Sequence, residues 1–171
     1  MDLVVSEFVF EIIGRWAWLD GLIVFFAKFL PYLMVGAFLF FIFKIDSWPR
    51  KLYFIFFTFL AAVLSRGLFT EIIRFFYVRP RPFETLGAES LLAINEPAFP
   101  SAHAAFFFAL AFSLWFFNRR WSRIFVAASL INGLARIGSG VHWLSDIFGG
   151  ILVAFLAVWS VNIILKKFSP K

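Results

Sequence analysis

Apolar residues in this chain come in runs of membrane length, separated by short polar and charged punctuation. Five such runs are visible, at residues 21–43, 51–77, 101–118, 121–139 and 143–165. Each exceeds or approaches the roughly 20 residues that a bilayer core requires at about 1.5 Å of rise per residue. The first sixteen residues or so follow another pattern. Leu3, Val4, Phe8, Ile12 and Trp16 recur at helical spacing while Asp2, Glu7, Glu11 and Arg15 interrupt them. That alternation predicts a helix lying in the membrane interface, or a short sixth helix, rather than a sixth full span. One long connection breaks the series, residues 79–100, which holds four prolines and three glutamates. The expectation is an all-α integral membrane protein, a bundle of five transmembrane helices plus an N-terminal interfacial helix, in a single domain over residues 1–171.

Composition agrees with the pattern. The chain has 171 residues, about one domain's worth, of which 63% are hydrophobic and 28 are phenylalanine. Its mean hydropathy is +0.91. A soluble domain of this size leaves too much surface in water to hide so much apolar area. Without cysteine the chain offers no disulfide, thiolate or cysteine-ligated metal site. The acidic N-terminus lacks the basic start of a signal peptide and is expected to belong to the mature protein.

A net charge of +6 could suggest nucleic acid, but the bases sit at the ends of apolar runs. One face of the alternating bundle carries Lys44, Arg50, Lys51, Arg119, Arg120, Arg123, Lys166, Lys167 and Lys171 against one acid, Asp46. The opposite face carries the acidic N-terminal helix and Glu84, Glu89 and Glu96. The positive-inside rule makes the first face, and the C-terminus, cytoplasmic. The long connection and the helix opening at Ser101 then face outward. No nucleic-acid partner is expected, and no obligatory protein partner is evident.

Candidate chemistry collects at that outward level. The only two histidines are His103, two residues into the third run, and His142, between the fourth and fifth. A single interfacial histidine is most often solvated or packed; two at one level beside other polar groups are less easily explained that way. Asp146 follows His142 by four residues, one turn on, so its carboxylate can hold one ring nitrogen and leave the other free as nucleophile or base. The alternative is that it merely caps the fifth span, but its place four residues after the only nearby histidine favours the pairing. Arg74 and Arg81 lie seven apart and share a face if the helix runs that far, while Arg136 lies six before His142. Arginines near hydrocarbon need a partner or a watery cavity, and three guanidinium forks suit a phosphate or diphosphate. Ser101, after Pro100, is an N-cap by its type, and a helix start is also an anion site. Arg66 and Glu71, within the second run, read as a structural ion pair. The phenylalanine clusters (54, 56 and 57; 106–108; 116 and 117) read as packing or lipid-facing surface.

Taken together these residues resemble the type 2 phosphatidic acid phosphatase (PAP2) superfamily, whose motifs are K-x6-R-P, P-S-G-H and S-R-x5-H-x3-D. Here they read Arg74-x6-Arg81-Pro82, Pro100-Ser101-Ala102-His103 and Ala135-Arg136-x5-His142-x3-Asp146, in order and at the right spacing. Three positions depart: Arg74 for lysine, Ala102 for glycine and Ala135 for serine.

The resemblance implies phosphoryl transfer without a metal or other cofactor, in keeping with the lack of a carboxylate cluster in the sequence. It makes His142 the nucleophile, Asp146 its orienting partner and His103 the acid for the leaving oxygen. Arg74, Arg81, Ser101, Ala102 and Arg136 are then the phosphate-binding set. Its implied substrate is a lipid phosphate or diphosphate in the outer leaflet. The segments at residues 20–32 and 79–83 look like the bacterial undecaprenyl-diphosphate phosphatase branch, in the cytoplasmic (inner) membrane. Phosphatidylglycerophosphate, phosphatidate and lipid A 1-phosphate remain open as substrates. An ion-binding transporter or channel would want charges deep in several spans rather than at one face. The vanadate-dependent haloperoxidases share the site chemistry but are soluble.

Overall fold

The computed structural model describes residues 1–168; the basic residue Lys171, placed above on the cytoplasmic face, lies outside the described residues. Among these residues the chain is all helix, without a strand. Helix α1 covers Asp2–Ile12. The long helices α2 and α3 cover Ala17–Phe43 and Trp48–Phe76. A one-turn helix α4, Pro82–Leu86, interrupts the long connection. Helices α5, α6 and α7 cover Ala102–Trp115, Arg119–Gly138 and Leu144–Leu165.

Among the described residues, three helical stretches are long and apolar enough to cross a membrane: Ala17–Phe43, Trp48–Phe76 and Leu144–Phe168. The other two expected spans fall short for different physical reasons. Helix α5 has only 14 residues, about 21 Å of rise, and is buried on nearly every face. Helix α6 has 20 residues but carries polar ones, which it turns inward: Ser122, Ser129 and Asn132 are all buried. Ser122 Oγ donates to the carbonyl of Ala111 at 2.7 Å and Asn132 Nδ2 to that of Phe26 at 2.8 Å, so these groups glue helices together. Helix α1, at 11 residues, is too short to span. It lies over the α6–α7 corner, with Phe10 and Ile13 packed against Gly140. Gly140 has φ +78, a left-handed conformation that, with the Phe10 ring against it, leaves no room for a side chain.

Helix α5 runs through the middle and packs on α3, α6 and α7. Its alanines allow close approach: a Cβ on Gly150 of α7 would lie 2.7 Å from both the Ala104 Cβ and the Ser101 carbonyl oxygen. The first turns of α5 and α7 are thereby pressed together, and the site forms there. The phenylalanine clusters divide as packing demands. Phe54, Phe57, Phe107 and Phe108 are buried, while Phe56, Phe59, Phe75 and Phe148 form part of an exposed apolar belt suited to lipid.

Candidate active site

The site is built where four chain segments meet: the end of α3, the 96–101 turn leading into α5, the end of α6, and the 139–146 corner leading into α7. Helix α3 stops at Phe76 and Tyr77 is extended, with φ −137 and ψ 93. The run Arg79-Pro80-Arg81-Pro82 cannot continue a helix, because a residue before proline is pushed out of the α region. Arg74 and Arg81 therefore do not share a helix face, because the helix does not run as far as their spacing would require. Arg74 sits in the last turn of α3, and Arg81 is the N-cap residue of α4. They still converge, because the chain folds back on itself.

His142 is 1% exposed and Asp146 is fully buried. His142 Nδ1 lies 3.3 Å from Asp146 Oδ2, and Nε2 lies 3.3 Å from Ser101 Oγ. A carboxylate accepts only, so the Nδ1–H donates to it and Nε2 keeps its lone pair. The same Oδ2 accepts from the backbone N–H of Trp143 at 2.8 Å, so Asp146 caps α7 while holding the imidazole. Ser101 likewise serves twice, accepting the Ala104 N–H at 3.4 Å as N-cap of α5 while its hydroxyl faces His142. Its own N–H donates to the carbonyl of Asp146 at 3.0 Å, which locks the two helix starts together. Ala102 follows at the first helical position, where backbone N–H groups have no intrahelical partner.

Three arginines surround this pair. Arg74 Nη1 donates to Glu96 Oε2 at 2.8 Å and Nη2 to the carbonyl of Pro100 at 3.2 Å. Arg81 is 1% exposed and spends its fork on main-chain oxygens, Nε to Glu96 at 2.7 Å and Nη1 to Val141 at 2.6 Å. It therefore pins the 96–97 turn to the His142 corner, with N–H groups to spare. Arg136 differs from both. It is 4% exposed and its guanidinium makes neither a hydrogen bond nor an ion pair among the described residues; its buried Nε, like that of Arg74, has no partner. Burial, then the fields of Arg136, Arg81 and Arg74, push the His142 imidazole well below the usual histidine range. The ring is thus neutral, the state in which an imidazole can act as a nucleophile. Burial and the neighbouring Arg74 also lower Arg81 from its ordinary value.

His103 and Arg136 both line a cavity of about 660 Å³ that opens between α2, α3 and the 92–96 turn. Every residue expected in the site from the sequence falls in or beside this constellation. Others were not expected there. Arg79 Nη1 donates to Asp146 Oδ1 and to Ser145 Oγ, each at 2.7 Å, and Nη2 to Asp2 Oδ2 at 2.8 Å. Asp2 also contacts the Ser145 hydroxyl and accepts its N–H at 3.1 Å. Burial opposes the charge on Arg79, but its bonds to Asp2 and the field of Asp146 outweigh that and raise its pKa. The N-terminal helix is thus tied through Arg79 to the carboxylate behind the imidazole. Glu96 was assigned only to the charge balance of a loop, yet it bridges Arg74 to Arg66 at 3.8 Å. The Arg74 hydrogen bond holds Glu96 below the usual carboxylate range. The expected contact between Arg66 and Glu71 is present. Only the RPRP run hinted at Arg79, and nothing in the sequence pointed to Asp2.

The geometry agrees with the comparisons to known proteins. The chain is 35% identical over 95 residues to YbjG of Escherichia coli (strain K12), covering 53% of this chain and 47% of that protein. It is 30% identical over 86 residues to the undecaprenyl-diphosphatase BcrC of Bacillus subtilis (strain 168), covering 50% of this chain and 45% of that protein. It thus spans about half the length of these curated relatives. The fold matches the crystal structure of Aquifex aeolicus LpxE with a TM-score of 0.75 at 22% identity, over 95% of this chain and 94% of that one. The family model described as PAP2 superfamily matches residues 54–169, more than half of the chain and all three motifs. The chain belongs to the PAP2 superfamily.

Proposed function

We propose that the protein is a lipid phosphatase of the bacterial cytoplasmic membrane that hydrolyses undecaprenyl diphosphate to the monophosphate and inorganic phosphate through a phosphohistidine. One observation carries the phosphoryl-transfer reading. Arg136, a buried cation with an unpartnered Nε, lines a cavity next to a neutral imidazole already oriented by a carboxylate. A buried cation without an anion is costly, and a bound phosphoryl group would supply that anion.

In this mechanism Nε2 of His142 attacks the terminal phosphorus. A P–N bond forms as the P–O bond to the leaving group breaks, and His103 gives its proton to the departing oxygen. Water then attacks the phosphohistidine, His103 takes up the water's proton, and phosphate leaves with His142 neutral again. Arg74, Arg81, Arg136, the Ser101 hydroxyl and the first amides of α5, beginning at Ala102, face the oxygens on which charge gathers. Asp146, braced by Arg79, stabilises the imidazole as it turns cationic. Each step uses groups of the chain itself, so turnover is expected to persist in EDTA. The carrier lipid is favoured by the similarity to the undecaprenyl-diphosphatase BcrC. The basic residues at the opposite end favour five spans, a cytoplasmic C-terminus and a site facing the exterior.

Phosphate release by purified protein is the test, with undecaprenyl diphosphate, phosphatidylglycerophosphate, phosphatidate and lipid A 1-phosphate compared in EDTA. Undecaprenyl diphosphate is expected to give the highest kcat/KM. Preference for a glycerolipid overturns the substrate, and loss of all activity in EDTA overturns the metal-free mechanism. A reporter fused after Lys171 is expected to read cytoplasm; a signal from the other side reverses the orientation.

A further inference from the structure

Each of the two long helices flanking the cavity is interrupted by one π-helical turn, Phe25–Phe29 in α2 and Val63–Phe69 in α3. Each of these turns carries one base, Lys28 in the first and Arg66 in the second, and both bases line the cavity that holds His103 and Arg136. Wide turns of this kind cost regular hydrogen bonds and recur at functional sites. Here side-chain hydrogen bonds tie each turn to a helix that bears the site. Asn132 Nδ2, one turn before Arg136 on α6, donates to the carbonyls of Phe26 at 2.8 Å and Ala27 at 3.2 Å. In α3, Thr70 Oγ1 donates to the Ser65 carbonyl at 2.9 Å, and Ser65 Oγ donates to the carbonyl of Ala105, two residues beyond His103, at 2.8 Å. These bonds set Lys28 in register with the Arg136 helix and Arg66 in register with the His103 helix.

Lys28 lies eleven residues inside the start of α2, roughly 16 Å along its axis, a depth at which a lysine normally pairs or faces a watery cavity. It has no hydrogen bond or ion pair among the described residues, only the Phe29 ring 5.9 Å from its ammonium. The cavity wall sets three bases, Lys28, Arg66 and Arg136, against the single carboxylate of Glu96. Glu96 already serves Arg74, and Arg66 already contacts Glu71. Positive charge is therefore in excess on the side of His103 where a leaving group must lie.

We propose that Lys28 and Arg66 form a second phosphate subsite, one that grips the phosphate remaining on the lipid and so selects diphosphates over monophosphates. The proposal deepens the lipid-phosphatase reading and rests on it for the direction of the leaving group. With the terminal phosphoryl group among Ser101, His142 and Arg136, the next phosphate along the substrate passes His103 into the cavity. There the ammonium of Lys28 and the fork of Arg66 neutralise the charge that the bridging oxygen releases.

The test compares wild-type protein with Lys28→Met, which keeps the length of the side chain, and Lys28→Arg, which keeps the charge. Binding of inorganic diphosphate and of inorganic phosphate is measured by calorimetry in detergent, independently of turnover. Wild-type protein is expected to prefer diphosphate by at least about tenfold, a preference lost in Lys28→Met and restored in Lys28→Arg. With lipids, the ratio of kcat/KM for a prenyl diphosphate over its monophosphate is expected to fall about tenfold in Lys28→Met. A ratio that survives Lys28→Met overturns the subsite. So does an equal weakening of both ligands, which would mark Lys28 as a general attractor of anionic headgroups or free phosphate. Absence of phosphate release from every lipid would instead strike the phosphatase reading, and the binding ratio would still decide the subsite.

Discussion

The two ends of α5 are built on opposite principles. From Phe107 onward its buried face joins a closed aromatic core in which Phe54 packs within 5.4 Å of Phe38 and Phe41, ring centre to ring centre, and 4.5 Å from Phe117. Its unpartnered buried polar atoms among the described residues are neutral hydroxyls, those of Thr58, Ser113 and Ser129. In its first turn the same helix meets buried charge. Asp146 is fully satisfied by Arg79, Trp143 and His142, while Arg136 close by has no anion. One end leaves only neutral hydroxyls unpaired; the other leaves a buried charge without a counter-charge. Stability is thus concentrated in the aromatic end, and the unsatisfied charge that the proposed function uses is confined to a corner that the aromatic end supports.

The contrast is tested most strongly by paired substitutions. His142→Ala is expected to lower phosphate release by roughly 10⁴-fold or more while leaving thermal unfolding little changed. Phe54→Ala is expected to do the reverse, lowering stability by about 3 kcal/mol while activity per folded molecule survives. Next in size, Arg136→Gln is expected to cost roughly 10²- to 10³-fold in kcat, because a fixed positive charge facing the phosphoryl oxygens is gone. The same change should raise the melting temperature of the ligand-free protein, since it removes an unpaired buried charge. A fall in both activity and stability would mean that Arg136 is a structural residue like those at the other end. Arg79→Met is expected to reduce kcat by about 10- to 100-fold with a smaller change in KM, because Asp146 loses its brace while the phosphate-binding groups remain.

The smallest effect is on pH dependence. The folded state holds the His142 ring neutral well below the ordinary value of 6.5, so the unfolded chain binds the proton more readily. The stability associated with that ring is full above about pH 6.5 and is lost as pH falls below it. Glu96 acts in the same direction lower down. Its folded pKa is depressed from 4.5 by Arg74, so its contribution is present above that value and is lost as pH falls through the folded one. Glu96→Gln is expected to flatten the melting curve against pH below about 4.5 and to leave the slope above that unchanged. His142→Phe is expected to reduce the slope between about pH 4.5 and 6.5; a slope that it leaves unchanged would overturn the contribution of this imidazole.

Much of this was legible in the residues. Runs of apolar side chains, the N-cap Ser101 and the i, i+4 pair His142 and Asp146 are local patterns, and local patterns survive folding because neighbouring residues create them. The convergence of both histidines with the arginines could be inferred from motif order because the spans alternate direction. In two places packing overrides what a segment would do alone. Arg74 and Arg81 do not share a helix, since the two prolines extend the chain between them. Helices α5 and α6 do not resemble isolated spans, since α5 is enclosed and α6 turns its polar residues inward.

The bare order of residues was thus enough to establish a helical membrane chain, its family motifs and the identity of the groups that can do chemistry. Only the folded chain decided which of those charges are satisfied. Asp2 and Arg79 stand 77 residues apart, yet they meet behind Asp146. Arg136 is left without an anion, and Lys28 faces a cavity that has no existence along the sequence. Coulomb and hydrogen-bond partners are set by distances in space, and those distances follow from the close approach of α5 and α7 at Gly150 and from the two wide turns that set the register of α2 and α3.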